Sequence, residues 1–147
     1  MLQPQILVVG VGNPYRHDDG IGIEIIKILK TENNPNLVVL DAGTDGLSLF
    51  DQLFLYERAI IIDAVFMGEI SGTVKLFSPK EVRSQINSDA LSTHGFGLAE
   101  LLKLVEEFAI KTEIKIIGVQ PENTDFGEGL SDVVKNKIPH ILSLIKG

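Results

Sequence analysis

Gln5-Ile-Leu-Val-Val9 runs straight into Gly10-Val-Gly-Asn-Pro-Tyr-Arg-His-Asp-Asp-Gly-Ile-Gly22. The first stretch is short, apolar and closed by glycine, which marks a strand buried on both faces. The second is a polar, glycine-bearing loop. Ile21, Ile25, Ile28 and Leu29 then recur at helical spacing and predict a helix to about Lys30. A buried strand, a loop and an amphipathic helix in that order are the opening of an α/β fold.

The same sequence of signals repeats downstream. Leu37–Leu40 and Ala59–Ile62 read as further buried strands, separated by an amphipathic stretch built on Leu47, Phe50, Leu53 and Phe54. Thr73–Phe77 alternates apolar and polar residues, the pattern of a half-exposed or edge strand. Ser78-Pro-Lys-Glu81 has the order of a helix start, with serine as N-cap, proline in the first turn and glutamate three residues on. Phe96–Phe108 predicts a strong amphipathic helix, Ile114–Val119 the last buried strand, and Leu130–Ile145 a final helix. Pro139 lies inside that last segment and removes a backbone donor, so a kink or break is expected there. Strands alternating with helices imply one three-layer domain over residues 1–147: a mostly parallel sheet with helices on both faces. Ligands of such sheets sit at the carboxyl ends of the strands, near a reversal of strand order.

Composition narrows the partners. With 147 residues, 44% of them hydrophobic, the chain can bury a real core, built from Ile, Leu and Val because aromatics make up 6% and tryptophan is absent. A formal charge of −7 disfavours nucleic acid and anionic membrane and favours a basic protein segment. There is no cysteine, which removes disulfides, thiolate metal sites and cysteine-protease chemistry. Met-Leu-Gln-Pro-Gln5 lacks the basic start and apolar run of a signal peptide, and no apolar run approaches the roughly 18 residues of a membrane span. A soluble, cytoplasmic monomer is the expectation.

The candidate chemistry lies in three loops. The first departs from a dinucleotide fingerprint after three residues, because Tyr15 stands at the third glycine's place and Asp18 and Asp19 occupy the helix start. Carboxylates there would repel a pyrophosphate. One aspartate suits helix capping, and the neighbouring carboxylate is left for a metal or a cationic group; for Asp19, cap and ligand both stand open. Asp63 ends Ala59-Ile-Ile-Ile-Asp63, where an ionised carboxylate is costly unless paired, hydrogen-bonded or metal-bound. A purely structural acid would receive amides from the next loop; the functional reading is favoured. His94, in Ser92-Thr-His-Gly-Phe-Gly97, precedes the Phe96–Phe108 helix. Two carboxylates and one imidazole with open positions describe an exchangeable or catalytic metal site, not a closed structural one. His-Glu-x-x-His, Gly-x-Ser-x-Gly and P-loop motifs are all missing.

Taken together, Gly10-x-Gly-Asn-x-x-x-x-Asp-Asp-Gly-x-Gly22, Asp41-x-Gly-Thr-x-Gly46, Asp63, Ser92-Thr-His94 with Gly97-Leu98, and Gly118-x-Gln-Pro-Glu122 resemble the hydrogenase maturation endopeptidase family. The resemblance runs from about Ile6 to the C-terminus. It implies a five-stranded twisted sheet flanked by helices, and it implies that Asp19, Asp63 and His94 contact nickel. At the Asp19 position the family carries Glu or Asp, so this chain has the shorter carboxylate. The implied reaction is removal of the C-terminal propeptide from a nickel-loaded hydrogenase large-subunit precursor, the nickel being supplied by the substrate and no nucleotide being needed. The alternative is a nickel-sensing chaperone that binds the same precursor without cleaving it.

Overall fold

The computed structural model describes residues 2–43, 47–85 and 98–147. Five strands, β1 (Gln3–Val11), β2 (Leu37–Gly43), β3 (Tyr56–Ala64), β4 (Val74–Phe77) and β5 (Glu113–Val119), form one sheet in the order β2-β1-β3-β5-β4. Every pairing is parallel except β4 with β5. The alternating segment Thr73–Phe77 is therefore the edge strand expected of it, leaving Leu76 43% exposed while Phe77 is buried.

Successive side chains of the central strands enter opposite layers. Val9 and Ile61 join a core beneath α2 (Leu47–Leu53), α3 (Pro79–Gln85) and α4 (Leu98–Glu107), which contribute Leu53, Val82, Leu101 and Leu102. Val8, Ile60 and Ile62 join a second core beneath α1 (Ile21–Glu32), α5 (Asp132–Lys135) and α6 (Ile138–Lys146), with Ile25, Ile26, Val134 and Ile141. Burial on both faces explains why these strands read as unbroken apolar runs. Truncating one such isoleucine to alanine costs about 2–5 kcal/mol through lost transfer energy and the cavity left behind.

Two helix boundaries differ from expectation. α1 runs two residues past Lys30 and ends at Asn33, whose left-handed backbone (φ 49°) stops it. The segment expected as one helix over Leu130–Ile145 is two, α5 and α6, with Pro139 in the first turn of the second. Proline has no amide to give the carbonyl of Lys135 and its ring would strike that carbonyl, so the helix closes at Lys137 N–H to Val134 O (2.9 Å) and restarts. At α3 the expected capping box is present: Glu81 N–H donates to Ser78 Oγ (3.2 Å) and Ser78 N–H to Glu81 Oε1 (3.0 Å).

Strand order reverses at β1. The chain leaves β1 through α1 to reach β2 on one side, then returns through α2 on the other face to reach β3. Loops after β1 and β3 therefore part at the carboxyl edge, as a ligand crevice requires. Gly22 fixes how close α1 comes to that edge: a Cβ there would collide with the carbonyl oxygens of Ile62 and Val11.

Candidate functional site

The loop leaving β1 folds back on itself. Asn13 Oδ1 accepts the amide of Tyr15 (2.9 Å), and Arg16 N–H reaches Asn13 O (3.1 Å), which turns the chain into a single 3-10 turn over His17–Gly20. That turn packs against β3 and α1 and buries both aspartates, Asp18 at 0% and Asp19 at 2% exposure.

The two carboxylates have different surroundings. Asp18 accepts four hydrogen bonds from the loop that follows β5. Glu122 N–H, Asn123 N–H and the Ser131 hydroxyl reach Oδ2 at 2.9, 3.1 and 2.8 Å, and Ser131 N–H reaches Oδ1 at 2.7 Å. Neither the 3-10 turn nor α1 receives a side-chain cap, so Asp18 bonds a distant loop and Ser131, the N-cap residue of α5, and not the start of its own helix. Asp19 turns to its own loop: Asn13 N–H donates to its Oδ2 at 3.0 Å.

Asp63 stands at the carboxyl end of β3, 2% exposed and in register with Gly118 of β5. Strand alternation puts it in line with Ile61, on the side of the sheet covered by α2 and α4. Asp19 and Asp63 thus reach the same edge of the sheet, the first from the turn after β1 and the second from β3 itself. Burying carboxylates costs free energy unless hydrogen bonds, cations or a metal compensate.

His94 lies outside the described residues, together with Ser92, Thr93 and Gly97; α4 starts four positions after it, at Leu98. Thr44 and Gly46 of the Asp41 motif also lie outside them. Among the described residues, no three His, Asp or Glu side chains group closely enough to hold a metal ion. Carboxylate oxygens such as those of Asp19 and Asp63 suit a borderline or hard divalent ion, and Asp18 is committed to the loop.

Gln120 is a residue whose part in the site composition and spacing did not reveal. It is buried (8% exposed), and its side-chain Oε1 accepts the amides of Met67 (2.6 Å) and Glu69 (3.4 Å). Its backbone completes the clamp, donating to Thr73 O (2.9 Å) and accepting from Gly72 N–H (2.8 Å). The loop directly after Asp63 is thereby held from the end of β5. A lone polar residue closing an apolar strand was the available signal, the same one that singled out Asp63.

No helix among the described residues is long and apolar enough to cross a membrane. Residues 23–147 match the family described as hydrogenase maturation protease (HycI), a span that includes Asp63 and His94 and begins just beyond Asp19. The hydrogenase expression/formation protein HupD of Thiocapsa roseopersicina is 33% identical over 139 residues, which cover 92% of this chain and 63% of that protein. The chain therefore spans less than two thirds of that relative's length. A putative hydrogenase maturation protease of Methanocaldococcus jannaschii is 31% identical, with 100% of this chain and 97% of that protein covered. Among solved structures, the hydrogenase maturating endopeptidase HybD from E. coli superposes with a TM-score of 0.83 at 28% identity, over 96% of this chain and 89% of that one.

Proposed function

The chain belongs to the hydrogenase maturation protease family, and from that premise we propose that it is an endopeptidase removing the C-terminal propeptide of a nickel-loaded hydrogenase large-subunit precursor. The observation that carries the reading is the pair of buried carboxylates, Asp19 and Asp63, at the carboxyl edge beside the reversal of strand order. No hydroxyl or thiol nucleophile stands in the sequence motifs that would activate one, so the attacking group is water. In this proposal Asp19, Asp63 and His94 engage the nickel that the precursor already carries, and the protein needs no resident cofactor. Their carboxylate and imidazole donors complete the coordination of the substrate's ion and fix the adjoining peptide against the edge of the sheet. Binding the reacting segment in one geometry would remove much of the entropic barrier, and the substrate's ion, held by these residues, would supply Lewis-acid polarisation of the scissile carbonyl.

An incomplete, cysteine-free ligand set holds free nickel weakly, so the purified protein should resist chelators while depending on nickel in its substrate. The test is to incubate it with nickel-loaded and nickel-free precursor and weigh the products by mass spectrometry. Release of a discrete C-terminal peptide from the loaded form alone is expected. Tight binding of loaded precursor with no mass loss would replace the peptidase by a nickel-sensing chaperone.

A further inference from the structure

Beside the aspartates, the loop following β5 carries Phe126 with 81% of its surface exposed, and Tyr15 across from it is 63% exposed. Exposed loop aromatics contribute little to a fold, and a loop tip is ordinarily free to move. This loop is tied along its length. Asp18 takes the amides of Glu122, Asn123 and Ser131. Gly127 forms an isolated bridge with Arg16, its N–H donating to Tyr15 O (2.8 Å) while its carbonyl accepts His17 N–H (2.9 Å). Gly127 also has φ +152°, and a Cβ there would collide with the His17 imidazole, so only glycine lets the two loops close.

The ring itself is oriented. The Arg16 guanidinium lies 4.7 Å from the Phe126 centroid, and its Nε donates to Thr124 O (3.0 Å). Around the ring, Glu122, Asp125 and Glu128 are exposed. Arg16 is the one arginine or lysine among the described residues of these two loops and is already engaged, and Lys27 of α1, beside Tyr15 and Glu128, is paired with Glu24 (3.3 Å), so acidic groups prevail around Phe126.

We propose that this rigid loop is the platform on which the precursor docks, taking a basic segment of the large subunit whose aliphatic stem or apolar neighbour stacks on the open face of Phe126. The inference rests on the endopeptidase reading and assigns the docking chemistry of the same site. A held aromatic loses little conformational freedom on binding, which is what makes such a residue an effective anchor. Asp125 and Glu128 would pair with the cationic heads, and the charge of −7 disfavours an acidic partner.

Processing kinetics with Phe126→Ala, Phe126→Tyr and a variant combining Asp125→Asn with Glu128→Gln decide the matter, with precursor binding measured separately by calorimetry. Phe126→Ala should raise KM and weaken binding by about 30-fold, the scale of an interface anchor, with kcat and the melting temperature kept. Phe126→Tyr should restore both, and the neutralised variant should raise KM while flattening its salt dependence. An unchanged KM in Phe126→Ala, a fall in kcat alone, or a Phe126-dependent self-association in sedimentation would each overturn the proposal. Binding that needs Phe126 without any cleavage would retain the platform and sink the peptidase reading instead.

Discussion

Asp18 and Asp19 are adjacent, equally hidden and chemically identical, yet what surrounds each separates their roles. Asp18 receives four hydrogen bonds from residues that close the loop after β5, whereas Asp19 stays with Asn13 at the edge shared with Asp63. Replacing Asp18 by asparagine puts an amide N–H₂ where an acceptor was, facing donors, and should cost about 1–3 kcal/mol. Asp19→Asn and Asp63→Ala should instead abolish processing of nickel-loaded precursor with much smaller changes in melting temperature. Calorimetric melting beside a processing assay checks the contrast; equal loss of stability in all three would make the carboxylates structural alike. Sequence alone made Asp63 visible because charge at a buried strand end is an anomaly, and Asp19 because two adjacent carboxylates at a helix start are one more than a cap needs. It could not name what holds Asp18, since those partners lie 104 to 113 residues away and leave no local trace. Gln120 went unassigned for the same reason.

At the scale of elements, legibility followed burial. Central strands buried on both faces wrote themselves as apolar runs, and the half-covered β4 as an alternation, because each pattern is the direct imprint of which sides meet water. The start of α3 was equally readable, since its cap is made by residues three apart. The division of the last helical segment was foreseen only as a kink, for proline tells where a helix cannot continue but not where its neighbour resumes. The capping box also carries a pH dependence. The Glu81 carboxyl is held below its ordinary 4.5, first by the Ser78 backbone N–H and then by the Ser78 hydroxyl. A lowered folded-state value means stabilisation present above the unfolded value and lost as pH falls through the folded one. Glu81→Gln should therefore melt lower than wild type near neutrality and converge with it in acid. Ser78→Ala should lose about 1 kcal/mol of cap. Parallel melting curves at all pH values would remove Glu81 from the cap.

Over the whole molecule, charge favours the approach of a basic partner. Twenty acidic against thirteen basic side chains give a field that attracts a basic segment from beyond contact distance. If the precursor meets the protein through such a segment, KM should climb as salt shortens the screening length from about 10 Å at 0.1 M to about 3 Å at 1 M, while kcat holds. Steady-state processing across that range measures it, and a KM indifferent to salt would assign docking to apolar contact alone.

The hydrogen bonds from Glu122, Asn123 and Ser131 to Asp18 also set a clock on biosynthesis. The loop that holds Asp19 emerges from the ribosome early, but the residues that lock its neighbour are made after more than a hundred others. Until then Asp18 has only water to bond, although β3 is already there for β1 to lie beside. A chain stopped before Ser131 therefore leaves the turn that carries Asp19 without the bonds that hold its neighbour.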